Sequence, residues 1–251
     1  MIQRNVLITG ATSGIGEATA RLLAKNNYKL IICGRRQEKL DKLRRELSAM
    51  TEVRTLAFDV RDNVAVRSAV GTLEGDWHDI DVLINNAGNA HGLDPIQKEN
   101  VEDWDAMMDI NVKGLLYISR EILPGMTDRK RGHVINIGSV AGKEVYANGN
   151  VYCASKFAVD ALTQGMRIDL NPFGVKVTSI HPGLVETEFS LVRFKGDAGR
   201  ASSVYKGLKP LTGEDIADVI LYVLSTPDHV VIADLVVFPK AQASATVVKR
   251  D

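Results

Sequence analysis

Tyr152 and Lys156, four residues apart in the run Tyr152-Cys153-Ala154-Ser155-Lys156, could together move a proton. On a helix, positions i and i+4 share one face, with Cβ atoms about 5–6 Å apart. An ammonium beside a phenol favours the phenolate, which lets a tyrosine exchange a proton below its free pKa of roughly 10. Far upstream lies a glycine turn, Thr9-Gly10-Ala11-Thr12-Ser13-Gly14-Ile15-Gly16, between an apolar run and a helical pattern. Glycines permit a tight turn there, and backbone N–H groups at the helix start can approach a pyrophosphate. A dinucleotide turn with a tunable phenol points to proton and hydride exchange at an alcohol carbon.

Those residues need a scaffold, and the chain alternates short β-branched runs with longer helical patterns, as parallel βαβ units do. Strands are expected at Asn5–Thr9, Lys29–Cys33, Arg54–Asp59, Val82–Asn85, Gly132–Ile137, Val175–Ile180 and about Val230–Phe238. Helices are expected at about Gly14–Asn26, Gln37–Met50, Asn63–Thr72, Val101–Met126, Tyr152–Asn171 and Gly213–Ser225. Most strands read as near-continuous Val, Ile and Leu, the pattern of a sheet covered on both faces. The expected fold class is α/β: a doubly wound parallel sheet of about seven strands, one Rossmann domain over residues 1–251. Ligands of such sheets bind at the carboxyl ends of the strands, where the motifs fall.

Composition excludes several alternatives. The 31 lysines and arginines balance 31 aspartates and glutamates, so no global field recruits nucleic acid or an anionic membrane. No apolar run reaches the length of a membrane span. The start, Met1-Ile2-Gln3-Arg4-Asn5, passes straight into a strand without signal-peptide architecture, and the expected location is the cytoplasm. Cys33 ends an apolar run and reads as a core residue, while Cys153 reads as a helix residue pointing away from the chemistry. Five scattered histidines without ligand spacing give no metal site.

The glycine spacing, Gly-x-x-x-Gly-x-Gly, resembles the short-chain dehydrogenase/reductase family. The resemblance runs through Asn85-Asn86-Ala87-Gly88, Asn111, Ser139, Tyr152-x-x-x-Lys156 and Pro182-Gly183. It implies a nicotinamide dinucleotide held by Gly10, Thr12, Ser13, Gly14, Ile15 and Gly16, with Asp59, Val60, Asn86, Ala87 and Gly88 about the adenosine. It assigns the Val185 backbone and the Thr187 hydroxyl, in the turn begun by Pro182 and Gly183, to the carboxamide. It also implies that Lys156 holds the ribose and that Asn111 supports a water in a proton relay behind it. Tyr152 is then the general acid or base, and the Ser139 hydroxyl binds the substrate oxygen, an oxyanion-type contribution. The second strand ends Gly34-Arg35-Arg36, where an NAD enzyme would place a carboxylate for the ribose 2′-OH. Two guanidinium groups suit a 2′-phosphate instead, so the expected cofactor is NADP. His181 precedes the Pro182 turn and reads as structural, because the tyrosine already fills the acid/base role.

Substrate choice is expected in the segment at about 188–211, where Phe189, Arg193 and Phe194 mix aromatic walls with a cation. Arg193 could pair with a substrate carboxylate, or lie on the surface of a lid or against another subunit. This segment and the tail Phe238-Pro239-Lys240-Ala241-Gln242 are similar to the NADP-dependent 3-hydroxy acid dehydrogenases of the family. That similarity implies oxidation of serine, allo-threonine or 3-hydroxyisobutyrate, a homotetramer, and a tail packed at a subunit interface. The alternatives are a broad carbonyl reductase in which Arg193 never meets substrate, and an NADP(H)-sensing protein without turnover.

Overall fold

Alternate residues of the apolar runs face opposite helical layers, as the two-residue strand period requires. Val6 and Ile8 pack with Leu23, Leu40 and Ile220 on one side, whereas Leu7 packs with Val66, Ile118 and Ile122 on the other. These side chains are essentially inaccessible, and fully burying an aliphatic side chain of this size contributes about 1.5–3 kcal/mol. The computed structural model describes residues 3–251. Its strands are β1 (Asn5–Ile8), β2 (Lys29–Gly34), β3 (Val53–Ala57), β4 (Val82–Asn85), β5 (Gly132–Ile137), β6 (Val175–Pro182) and β7 (Asp234–Val237). They form one seven-stranded sheet in the order β3-β2-β1-β4-β5-β6-β7, with every neighbouring pair parallel. The order reverses between β1 and β4, so a crevice opens at the carboxyl ends of those strands.

The longer helices are α1 (Gly14–Lys25), α2 (Gln37–Leu47), α3 (Asn63–Val70), α4 (Val101–Met108), α5 (Gly114–Asp128) and α6 (Asn150–Leu170). After β6 come two short helices, α7 (Phe189–Arg193) and α8 (Ala198–Ser203), then α9 (Gly213–Ser225). Local chemistry sets several helix starts. Asp62 accepts from Val64 and Ala65 N–H at the head of α3, and Thr212 with Asp215 forms a reciprocal capping box at α9.

Two expected elements differ in detail. The single helix expected over Val101–Met126 is interrupted by a π-helical turn at Asp109–Lys113, which places Asn111 inside the fold. Such bulges are frequent at functional sites because the wider turn re-aims one residue. The last strand is shorter than expected, since side chains rather than a backbone ladder hold its first half. The Lys176 ammonium donates to the Val230 carbonyl at 3.3 Å, and the Thr178 hydroxyl donates to the Ile232 carbonyl at 2.7 Å. Among the described residues no helix is long and apolar enough to cross a membrane.

His133, buried in β5, has its Nε2 2.9 Å from the Thr178 hydroxyl. Burial, reinforced by Lys176 and Arg4, pulls its pKa down to about 3. The unfolded chain therefore binds this proton at about pH 6.5 while the folded chain refuses it until about pH 3, so stability falls on acidification between those limits. The loss from this residue should reach about 2 kcal/mol by about pH 5. His133→Asn is expected to flatten the denaturation midpoint between about pH 7 and 5, measured by urea titration. An unchanged slope would remove His133 from the acid response.

Candidate active site

α1 starts at the mouth of the crevice, and its N-cap Ser13 makes no side-chain hydrogen bond to the helix end. The first backbone N–H groups of α1 are thus left for an anion. A Cβ at Gly16 would collide with the Gly10 carbonyl and the Asn86 amide, so only glycine lets the turn close. Asn86 stitches this turn to the end of β4, donating to the Thr9 carbonyl at 2.9 Å. Thr9 Oγ1 in turn accepts from the N–H groups of Asn86 and Ala87, both at 3.0 Å. The open helix end and the tight glycine packing fit a dinucleotide pyrophosphate.

Arg35 and Arg36 stand at the carboxyl end of β2, both substantially exposed, and line the same cleft. The Arg36 guanidinium lies 3.1 Å from the Thr12 hydroxyl and 3.4 Å from Glu188, whose carboxylate also meets Lys39 at 3.1 Å. Asp59 is not the cap of α3, a role taken by Asp62. It faces the cleft beside Arg61 and lies 3.7 Å from Arg35. Burial pushes its pKa up, but hydrogen bonds and charge from Arg61, with help from Arg35, hold the carboxyl below its ordinary value. Val60, Ala87 and Gly88 line the cleft between this end and the catalytic residues.

α6 carries Tyr152 and Lys156 into the other end of the cleft, and both are buried. Burial raises the Tyr152 phenol above its ordinary pKa, as does neighbouring Tyr146; a hydrogen bond with Ser139 and the Arg193 guanidinium pull the other way. Lys156 is the residue that spacing predicts for this downward pull. Its ammonium is directed to the Ile137 carbonyl, 3.0 Å away, and burial lowers its own pKa to about 8. Ser139 follows β5 by two residues and caps the turn Val140–Gly142, its hydroxyl accepting from Ala141 N–H at 3.1 Å. Asn111 has both side-chain atoms engaged: it donates to the Asn89 carbonyl and the Ser155 hydroxyl, each at 2.9 Å, and accepts from Asn89 N–H at 2.9 Å. It therefore shapes the Gly88–Asn89 loop next to Lys156.

The turn after β6 brings Pro182, Gly183, Val185 and Thr187 to the wall of the cleft, opposite the glycine turn. Thr187 Oγ1 accepts from Phe189 N–H at 3.2 Å and so starts α7. From α7, the Phe189 ring packs on Tyr152 with centroids 5.7 Å apart. Arg193 stands with its Cζ 5.5 Å from the Tyr152 ring centroid, donating to the Gly92 carbonyl at 2.9 Å and the Tyr146 hydroxyl at 3.1 Å. Two of its five N–H donors are thereby used, and the rest can meet an anion beside the phenol. The cleft measures about 580 Å³ and runs from Arg35 and Arg36 to Tyr205.

The sequence-predicted residues converge on this one cleft, except Asn111, which lies behind it, and Gly16, which is packed beneath the turn. Tyr146 and Gln242 also line it and were missed. No local spacing marks them, because chain folding alone brings them there.

His181 is buried, with Nδ1 3.1 Å from the Ser139 carbonyl and Nε2 3.0 Å from Asp234. Asp160 and Asp234 also meet the Lys143 ammonium, at 2.9 and 2.6 Å. That ammonium already neutralises the carboxylate pair, so His181 stands in a charge cluster behind Ser139. Cys33 and Cys153 are buried free thiols, and burial raises both above the ordinary thiol pKa.

The sequence profile described as short chain dehydrogenase matches residues 4–196. The chain is 48% identical over 241 residues to the NADP-dependent 3-hydroxy acid dehydrogenase YdfG of Salmonella typhi, covering 96% of each. It is 43% identical over 248 residues to sulfoacetaldehyde reductase 2 of Chromohalobacter salexigens, covering 98% of each. A solved structure described as the closed form of serine dehydrogenase complexed with NADP+ superimposes with a TM-score of 0.92 at 45% identity. That match covers 98% of this chain and all of the other. With the glycine turn, the Ser139–Tyr152–Lys156 site and the doubly wound sheet in place, the chain belongs to the short-chain dehydrogenase family.

Proposed function

We propose that this protein is an NADP-dependent oxidoreductase that interconverts a small 3-hydroxy acid and its 3-oxo acid, with Tyr152 as general acid/base. The observation that carries this reading is the Arg193 guanidinium set against the Tyr152 ring, with donors left for a carboxylate. A hydroxyl at the phenol and a carboxylate at the arginine are the two ends of a short hydroxy acid. When bound, NADP+ accepts a hydride from the carbinol carbon, and NADPH returns it in the reverse reaction.

The chain's own residues do the rest. Arg35 and Arg36 hold the 2′-phosphate, the α1 N-terminus holds the pyrophosphate, and Asp59, Val60, Asn86, Ala87 and Gly88 border the adenosine side. Lys156 holds the nicotinamide ribose, while Val185 and Thr187 orient the carboxamide. In oxidation the Tyr152 oxygen takes the hydroxyl proton; in reduction it gives that proton back to the carbonyl oxygen. Ser139 donates a hydrogen bond to the same oxygen and favours its alkoxide character. Asn111 keeps the Gly88–Asn89 loop against Lys156, and a water relay there would return the phenol's proton to solvent. The assembly that fits the family resemblance is a homotetramer, and the location a cytoplasmic one.

The test is a substrate panel of serine, 3-hydroxyisobutyrate and uncharged alcohols of matched size, followed by NADPH absorbance. Activity confined to the acids supports the reading; equal activity on the alcohols favours a broad carbonyl reductase. Arg193→Ala is expected to raise KM for the acids by about tenfold to a hundredfold, the worth of one charge-assisted pair, and leave alcohol KM unchanged. Unchanged acid KM would take Arg193 out of the substrate site. The similarity to a sulfoacetaldehyde reductase supports including a sulfonated aldehyde in the reductive panel, since a sulfonate presents oxygens to a guanidinium as a carboxylate does.

A further inference from the structure

β7 ends at Val237, and the last backbone hydrogen bond it accepts from the segment leaving β6 is that of Gly183 N–H to the Val237 carbonyl, 2.8 Å. The next N–H on that turn, Leu184, has no strand left to meet. It donates instead to the side-chain oxygen of Gln242, at 2.8 Å. Gln242 is buried, and its own amide is fixed in turn: Nε2 donates to the Ser244 carbonyl at 3.0 Å. Its backbone N–H donates to the Pro239 carbonyl at 2.8 Å, and it faces Val248 in an antiparallel bridge. The approach to the turn is so close that a Cβ on Gly183 would collide with the Gln242 amide and meet Phe238 at 2.9 Å. Glycine at this place is required by the close approach of the glutamine and Phe238.

The segment carrying Gln242 is a short returning strap, residues 239–251, and its other contacts reach the rest of the cleft wall. Ala245 N–H donates to Glu144 at 3.0 Å, just beyond the turn that Ser139 caps. Arg250 donates to the carbonyls of Val204 and Lys206, and Asp251 N–H donates to Gly207 at 2.9 Å. Within its own chain the tail thus packs against the segment that follows α8. Gln242, Ala245 and Thr246 line the cleft.

We propose that Gln242 is the positioning residue that sets the Pro182–Thr187 turn against the nicotinamide end of the cofactor, and that the strap ties this turn to the substrate segment. The proposal rests on the reading of that turn as the carboxamide site. Leu184 N–H is a part-buried donor just beyond the end of β6, and without its acceptor the turn loses this hydrogen bond. On its other side the turn is held by Leu211, whose N–H donates to the Leu184 carbonyl at 2.9 Å and whose carbonyl accepts from Glu186 N–H at 2.8 Å, and by the Tyr205 hydroxyl, which donates to the Val185 carbonyl at 2.9 Å. Removing the Gln242 acceptor leaves the Gly183 bond as the turn's last hydrogen bond on the β7 side, so the turn can shift where Val185 and Thr187 must meet the ring.

The test compares Gln242→Met, of similar size without the acceptor, with Gln242→Glu, which keeps an acceptor oxygen for Leu184. Dissociation constants are measured by protein fluorescence for NADP+ and for 2′,5′-ADP, which has the 2′-phosphate but no nicotinamide. Amide hydrogen exchange is followed for the peptide containing Leu184 in the protein alone. Q242M is expected to bind NADP+ about tenfold more weakly, bind 2′,5′-ADP within about twofold of the parent, and exchange Leu184 faster. Q242E is expected to keep Leu184 protected and restore NADP+ binding to within about threefold. Parental NADP+ binding in Q242M, or an equal loss for 2′,5′-ADP, would overturn the proposal, and so would unchanged exchange at Leu184. If Q242M fails to fold, loss of Leu184 protection in folded Q242E overturns it. None of these readouts uses a hydroxy acid, so failure here is distinct from failure of the proposed substrate class.

Discussion

Tyr152→Phe is expected to lower kcat in both directions by about a hundredfold to ten-thousandfold while leaving NADP+ binding within about twofold. The ring that packs on Phe189 and under Arg193 is retained, so the loss isolates the phenolic oxygen. Single-turnover absorbance at saturating NADP+ measures the chemical step without product release. A variant keeping more than about a tenth of the activity would mean that another group, Lys156 or a water, moves the proton. The pH profile offers a second reading of the same oxygen. Burial holds the phenol above its ordinary pKa, so the base form is scarce near neutrality. Oxidation needs that base form, so its rate is expected to climb as pH rises; reduction needs the acid form and is expected to fall only once pH passes the phenol's raised pKa. In the Phe variant both limbs should flatten. The Arg193 and Ser139 neighbours give the downward pull, so Ser139→Ala should move the oxidation limb to higher pH.

Replacing Arg35 and Arg36 together by alanine is expected to weaken NADP+ binding by about a hundredfold or more and NAD+ binding by less than about threefold. Each charge-assisted hydrogen bond to the 2′-phosphate contributes roughly 1.5–3 kcal/mol, and every 1.4 kcal/mol is a factor of ten. Geometry supports a role for both residues. Arg36 is anchored on Thr12 at the glycine turn and Arg35 leans towards Asp59, so the two guanidinium groups flank the adenosine end of the cleft. Neither arginine is buried, so the substitutions should change the melting temperature of the protein alone very little. Equal losses for the two dinucleotides in fluorescence titrations would refute the 2′-phosphate assignment.

The primary structure by itself determined the scaffold and the polar centre. Buried parallel strands need long Val, Ile and Leu runs, and the βαβ rhythm leaves one handed way to wind them, so the doubly wound parallel sheet was legible before any coordinates. Tyr152 and Lys156 could be paired because helix spacing is local, and the glycine turn could be read because its strand and helix adjoin it. Tertiary structure decided what lies across the cleft. Gln242 meets Leu184 from 58 residues away, Arg193 stacks on a tyrosine from another helix, and the Asp160–His181–Asp234 cluster closes behind Ser139. The direction of the Lys156 ammonium was also beyond spacing, because an i,i+4 interval says which face a side chain shares and not which carbonyl it finds there. Periodicity is a property of neighbours along the chain, whereas these contacts depend on how loops at the carboxyl ends of separate strands return to one another.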